Sequence, residues 1–317
     1  MASWTRSLIG ACAALVLAQS AQAQDLLKLA VPQRGNWDTG IPDVGMRAGI
    51  FAKHGLKLEI LYTAGAGETT QAVISGSVDI GTGTGTSGIL AAFVKGAPLR
   101  PISSQMTGAD DIFWYVDAKS PIKTLKDAAG KTMAYSSNGS SSHLGTLASI
   151  KQAGVDIKAV ATGTAQTTFT QVMSGQIDIG WAAPPSVVDD VRANRVRVIA
   201  RLSDVEAFKN QTIRMNFAHV NVITGKADQL KRFFAAYEET LNYMYADPQA
   251  LKLYADYAGI SEDQAKFIRD TYFPKNNLLP RRIAGLDHAI TDAVTMKFIP
   301  AALSKEQEAE FLKFYLK

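Results

Sequence analysis

From Leu26 onward the chain switches repeatedly between short apolar or alternating runs and longer amphipathic ones. Leu26 to Val31 reads as a first strand, ending in the polar loop Pro32-Gln33-Arg34-Gly35-Asn36-Trp37-Asp38. A helix is expected around Val44 to His54, stopped by Gly55. Leu56-Lys57-Leu58-Glu59-Ile60 alternates and predicts the next strand. The pattern continues with a helix over 68–74, a strand over 78–81 and a helix over 89–95. Such alternation predicts a largely parallel sheet covered by helices.

The second half repeats the theme. Val73-Ile74-Ser75-Gly76-Ser77-Val78-Asp79-Ile80-Gly81 is echoed 99 residues later by Val172-Met173-Ser174-Gly175-Gln176-Ile177-Asp178-Ile179-Gly180. In each copy an apolar pair closes a helix, Ser-Gly supplies the cap and branched residues open a strand. One copy per half predicts two similarly built α/β lobes, with a cleft between them where small ligands bind. The aromatic run Phe113-Trp114-Tyr115 marks a strand leading out of the first half. Ser120-Pro121 predicts a capped helix start, and Thr212 to Thr224 a long strand returning to the first lobe. Beyond Lys226 the period becomes helical, with Leu230, Phe233, Tyr237, Leu241 and Met244 on one face. Ser261 with Gln264, and Ser304 with Gln307, have capping-box spacing.

At 317 residues the chain exceeds what one core usually serves, so two domains are the default. Hydrophobic residues at 47% and charged ones at 20% describe an ordinary globular protein. A net charge of +4, without a dense basic stripe, supports no nucleic-acid partner. The N-terminus changes the picture most. A lone Arg6, an apolar run from Leu8 to Ala18 and Ala21-Gln22-Ala23 match a cleaved signal peptide over 1–23. The run is too short to span a bilayer, which needs about 20 residues. Cys12 is the only cysteine and lies inside that segment, so the mature chain has no disulfide, thiolate metal site or thiol nucleophile. No cofactor is expected.

The order of elements resembles a periplasmic solute-binding protein of an ABC importer, in the nitrate/sulfonate/taurine branch that also includes thiamine-precursor binders. The residues that carry the resemblance are Gly49-Ile50-Phe51-Ala52-Lys53-His54-Gly55-Leu56, Ala72 to Gly81, Ile122-Lys123-Thr124-Leu125-Lys126-Asp127-Ala128-Ala129-Gly130-Lys131 and Ser174 to Asp178. The resemblance implies a two-lobed α/β fold of the type II periplasmic class, with a helical C-terminal region. It places lobe 1 at 24–106 plus 216–317 and lobe 2 at 107–215. It further implies a monomer that captures a small anionic organic solute (sulfonate, taurine or carboxylate) and delivers it to an inner-membrane permease with its ATPase. Nitrate or a pyrimidine precursor of thiamine are the alternative ligands.

Candidate ligand groups follow from position and anion chemistry. Ser136 to His143 lies between a strand and a helix, where free amides and partial positive charge favour an anion. Asn138, Ser140 and Ser141 are the candidates there, against plain helix capping. Gly81 to Gly88 is read as the matching loop of the first lobe, offering Thr84, Thr86 and Ser87. Its Gly83-x-Gly85-x-x-Gly88 spacing also fits a dinucleotide fingerprint, but earlier strands precede it, which argues for a decoy. Arg34 is either a bidentate clamp for a carboxylate or sulfonate, or a solvated surface arginine. Trp37 and Trp181 either stack on the ligand or belong to core and rim. Arg214 is either a charge near the hinge or a structural ion-pair partner.

Enzyme readings lack support. Ser120-x-x-Lys123 has no companion elements, no G-x-S-x-G elbow occurs, and the four histidines are scattered. Pyrimidine-precursor synthases share the fold but carry a cysteine cluster that this mature chain lacks. Asp79 and Asp178 are read as strand-entry turn residues.

Overall fold

The branched and aromatic runs form ten strands among the residues that the computed structural model describes, 24–281 and 283–314. The expected signal peptide, with Cys12, lies outside them. β1 (Asp25–Pro32), β2 (Leu56–Thr63), β3 (Ile80–Gly85) and β4 (Leu99–Thr107) belong to the first half. β5 (Phe113–Asp117), β6 (Thr132–Tyr135), β7 (Lys158–Ala161), β8 (Gly180–Ala182) and β9 (Val196–Arg201) belong to the second, and β10 (Thr212–His219) returns to the first sheet.

That sheet has the order β2-β1-β3-β10-β4. β1 runs parallel to β2 and β3, while β10 runs against both β3 and β4. The second lobe repeats this arrangement. β6 is parallel to β7, a bridge from Met133 to Ile179 ties it to the start of β8, and β5 runs against β8 and β9. Each lobe is therefore a mixed sheet. In each, four strands share one direction, and one, β10 in the first lobe and β5 in the second, runs against them because it arrives from the other lobe and enters from the opposite end.

The 99-residue echo is also a hydrogen-bond echo. Asp79 accepts the backbone N–H of Lys28 at 2.9 Å, and Asp178 accepts that of Thr132 at 2.9 Å. Thr63 and Thr69 hydroxyls meet at 2.6 Å, as do Thr162 and Thr168. Both aspartates thus tether a helix-to-strand turn to the corresponding strand of their lobe, β1 or β6. The helix Ala227–Ala246 buries the predicted face, Leu230, Phe233, Tyr237, Leu241 and Met244, against lobe 1. Ser304 and Gln307 form the full reciprocal capping box, and Ser261 caps through the amide of Gln264.

Three local expectations are corrected. No helix starts at Pro121: Asp127 accepts the amides of Lys123 and Thr124, closing a single turn over Leu125–Asp127. The returning strand stops at His219, whose ring accepts the N–H of Asn221 and caps the helix Val220–Gly225. Gly81 to Gly85 is not a loop but β3, the central strand. A side chain at Gly81 would occupy the space of the Phe217 ring. The chain crosses between lobes at 108–112 and again over 202–211. Thr212 to Met215 already pair in the first sheet, so the second crossing falls a few residues before the expected 215/216 boundary.

Candidate functional site

The strand ends of both lobes meet around a cavity of about 40 Å³. The first lobe contributes Gln33, Asn36, Asp38 and Thr39 from the exit of β1, Gly65 and Ala66, and Arg214 from β10. The second contributes Ser136, Ser140, Ser141 and Ser142 before a helix, and Trp181 with Ala183 after β8. These are the positions where open α/β sheets receive ligands. The volume holds a water or two, whereas organic ligands need several hundred Å³. Entry of a solute therefore requires the lobes to part.

Local sequence fixes each wall. Gln33 adopts φ 55, an uncommon value for a residue with a side chain, and donates to the Ala64 carbonyl at 2.7 Å. On the opposite wall Ser140 is the N-cap of the helix Ser141–Ala153, accepting the N–H of His143 at 3.0 Å. Thirteen aligned peptide units direct their positive end at the cavity. Arg214 stands between register shifts on the β10–β4 ladder, and such bulges re-aim a side chain. Its guanidinium points into the interlobe space and donates to Ser141 Oγ at 3.4 Å across the boundary.

Arg214 is also the centre of a buried ion cluster. It donates to Asp111 Oδ2 at 2.7 Å, approaches Asp38 Oδ2 at 3.2 Å and donates through Nε to Gln105 Oε1 at 3.3 Å. Gln105 returns a bond to Asp38 at 3.0 Å. Both carboxylates are 1% exposed. Burial raises the Asp111 carboxyl to about 6, and the charge of Asp38 adds to this, against the opposing pull of Arg214. The guanidinium is raised in turn by its two carboxylates, despite burial.

The other candidates divide between three places. Ser140, Ser141, Trp181 and Arg214 come together at the cavity. Trp181 is 3% exposed and its indole N–H has no protein partner. Thr84 and Asn138 lie instead on an adjoining groove of about 660 Å³, beside His143, Lys95, Lys297 and Phe298. Asn138 already accepts from the Tyr135 hydroxyl at 2.8 Å. Thr86 donates to the Thr212 carbonyl at 2.7 Å and Ser87 is buried, so these hydroxyls open the helix Thr86–Val94 and line neither space.

Arg34 and Trp37 are corrections. Arg34 is exposed, its guanidinium 5.3 Å from the Tyr62 ring centre and 5.6 Å from that of Tyr257. Trp37 is wholly buried, donates to the Tyr245 hydroxyl at 3.1 Å and packs edge-on against Tyr254 at 4.6 Å. The aromatic helices of the C-terminal region draw both away from the cavity. Asp38, next in sequence, is the side chain that loop delivers. Asp38, Gln105 and Asp111 were missed because their neighbourhood depends on pairing three distant strands. The adjacent Asp110-Asp111 at a lobe crossing was the one available signal.

The lobes touch through glycine. Gly85 and Gly88 of lobe 1 face Gly139 of lobe 2, and a Cβ on Gly88 would stand 2.5 Å from the Gly139 carbonyl oxygen. Beside them His143 stacks on Tyr135 at 4.0 Å and meets Phe298 of the first lobe edge-on at 4.9 Å. Burial lowers the imidazole to about 4. Among the described residues no His, Cys, Asp and Glu group could hold a metal ion, and no helix is long and apolar enough to cross a membrane.

Comparison with solved structures supports the architecture. The alkanesulfonate-binding protein SsuA from Xanthomonas axonopodis pv. citri, bound to MOPS, superposes with a TM-score of 0.75 at 16% identity. The match covers 90% of this chain and 98% of that one. The periplasmic nitrate-binding protein NrtA from Synechocystis PCC 6803 gives 0.72 at 12% identity, over 92% and 86%. The desulfurization enzyme DSZB gives 0.63 at 14% identity, over 92% and 98%, so the fold also carries an enzyme. These likenesses establish the periplasmic-binding-protein fold. No curated protein sequence matches. A family model described as NMT1/THI5 like matches residues 44–251, about two thirds of the length, and the chain belongs to that family.

Proposed function

We propose that this chain is the solute receptor of an ABC importer, capturing a small organic solute with an anionic head between its lobes and passing it to a membrane permease. The observation that carries the reading is the cavity itself. A capped helix end from one lobe faces Arg214 from the other, and Arg214 donates to Ser141 across the lobe boundary. The first-turn amides of the helix Ser141–Ala153 receive the anionic head. Trp181 covers the remainder and offers its free N–H. Closure follows because the solute bonds to both walls at once, and so binds the closed state better than the open one. The mature protein acts as a monomer in the periplasm; the similar nitrate-binding protein NrtA is described as periplasmic, which supports the location.

Binding, rather than turnover, suits the groups present. The buried carboxylates and guanidinium are committed to one another, and the cavity serines are engaged in capping and in bonds to each other. A thermal-shift panel of alkanesulfonates, taurine, carboxylates, nitrate and thiamine-precursor pyrimidines tests the proposal. A ligand at 100 times its Kd stabilises by about 2.7 kcal/mol. Solute released by denaturation should return unchanged by mass spectrometry. A panel that stabilises nothing, or a solute returned chemically altered, refutes the reading.

A further inference from the structure

The geometry points to a solute that carries an N–H-bearing cationic group as well as its anionic head, with Asp38 as the residue that reads it. This rests on the proposal that the cavity is the solute site, and it adds the chemistry of the second end.

The charge count comes first. Asp38, Asp111 and Arg214 share one buried cluster, two carboxylates against one guanidinium. Arg214 is the one cationic side chain lining the cavity among the described residues, and its fork is already divided. Nη2 serves both carboxylates, Nε serves Gln105 and Nη1 serves Ser141. An incoming anion therefore meets a guanidinium already engaged by two carboxylates, in a cluster with one surplus formal negative charge. Such a surplus is costly in a dry interior unless something compensates it.

The unpartnered atoms say what would do so. Asp38 Oδ2 takes Gln105 and Arg214, while Asp38 Oδ1 has no partner although the residue is 1% exposed and lines the cavity. Asp111 Oδ1 is likewise without one. Ionised carboxylate oxygens only accept, so the group they lack is a donor. On the other wall the vacant functions are donors: the Trp181 indole N–H and the amides at the helix end. The cavity is thus two-ended, with acceptors on the first lobe and donors on the second. A primary ammonium or an amidinium on the solute would bond Asp38 Oδ1 and balance the surplus charge. Burial and the charge of Asp38 raise the Asp111 carboxyl to about 6 against the pull of Arg214, in keeping with two carboxylates that share one guanidinium.

The test is calorimetric titration of the full mature chain with matched probes. 2-Aminoethanesulfonate is compared with ethanesulfonate, and 3-aminopropanoate with propanoate. The amino member of each pair should bind at least about tenfold more tightly, the worth of one charge-assisted hydrogen bond. Asp38→Asn should bring the two members within about threefold, because a neutral amide no longer selects for charge. The wild-type comparison decides the matter even if the variant folds poorly. Amine-free probes binding as tightly as their partners overturn this inference and leave the receptor standing. Failure of these four probes and of the wider thermal-shift panel removes the receptor reading, and this inference with it.

Discussion

Gly88→Ala should weaken solute binding without weakening the protein, and the reason lies in one interlobe contact. Gly88 sits in the first turn of the helix Thr86–Val94, and its Cα faces the backbone of Gly139 across the lobe boundary. A Cβ at position 88 would meet the Gly139 carbonyl oxygen at 2.5 Å, its carbonyl carbon at 3.0 Å and its Cα at 3.1 Å. All three are main-chain atoms, so no side chain can rotate out of the way. Gly139 has φ 80 and cannot shift its backbone cheaply. Closing the lobes on an alanine is an overpacking problem, and such insertions cost about 1–3 kcal/mol.

The open state escapes that cost, because parting the lobes separates the two glycines. It also gains from the substitution, since alanine is better than glycine inside a helix by up to about 1 kcal/mol. The closure equilibrium therefore shifts toward open, and the apparent Kd rises by about 5- to 150-fold. Gly67→Ala is the control. It also lies near the start of a helix, Ala66–Ile74, but a Cβ there meets nothing within 4 Å. Calorimetry with the strongest panel ligand gives the affinities, and urea unfolding of the ligand-free protein gives the stabilities. The reasoning fails if Gly88→Ala binds as well as Gly67→Ala, or if its ligand-free stability falls by as much as its binding energy.

Two more outcomes can be checked on the same material. Arg214→Met leaves Asp38 and Asp111 buried without their cation, and urea unfolding at pH 7 should show a loss of about 3–5 kcal/mol; adding Asp38→Asn and Asp111→Asn should restore much of it, and a mild effect of the single change would show that the cluster is not dry. The pH dependence tests the same charges with His143. Asp111, raised to about 6, holds its proton more tightly folded than unfolded, so its contribution is present near pH 4 and is lost as pH rises through 6. His143, lowered to about 4, resists a proton that the unfolded chain accepts near 6.5, so its contribution is present above 6.5 and is lost as pH falls toward 4. Between pH 4 and 6 the two slopes oppose. Relative to the parent, Asp111→Asn should steepen the rise of stability with pH, and His143→Gln should turn it downward; parallel curves for all three would refute both assignments.

What the sequence discloses here is whatever depends on neighbours a few residues apart. The period of Leu230, Phe233, Tyr237, Leu241 and Met244 announced a buried helix face, and Ser140 announced a helix start. The paired Ser-Gly turns announced two lobes. What it hides is whatever depends on strands meeting from far apart. Trp37 and Asp38 are adjacent in the turn segment that follows β1. Nothing local says that helices more than 200 residues away bury the tryptophan while the aspartate reaches the cavity. Arg34 was misplaced for the same reason, since Tyr62 and Tyr257 hold it. The glycines of β3 looked like a phosphate-type loop because composition cannot tell a flexible turn from a strand crowded by Phe217.

The two lobes share a scaffold, and the site is built where they stop being alike. Tethers Asp79 and Asp178, and the Thr63–Thr69 and Thr162–Thr168 hydroxyl pairs, recur at the same 99-residue offset. At the exits of the corresponding strands β1 and β6 the likeness breaks. After β1 the chain places Asp38 at the cavity, an acceptor; after β6 it places Ser140 to Ser142 and a helix end, which are donors. The strands that arrive from the opposite lobe differ too. β10 turns Arg214 toward the cavity, whereas β5 buries Trp114 in its own lobe, bonded to the Ala134 carbonyl at 2.9 Å. A duplicated fold with identical faces could hold only a ligand with two identical ends. On the proposed function, unlike faces on like scaffolds let the solute be read by charge at each end, with Asp38 on one side and the serine-capped helix on the other setting its orientation in the cleft.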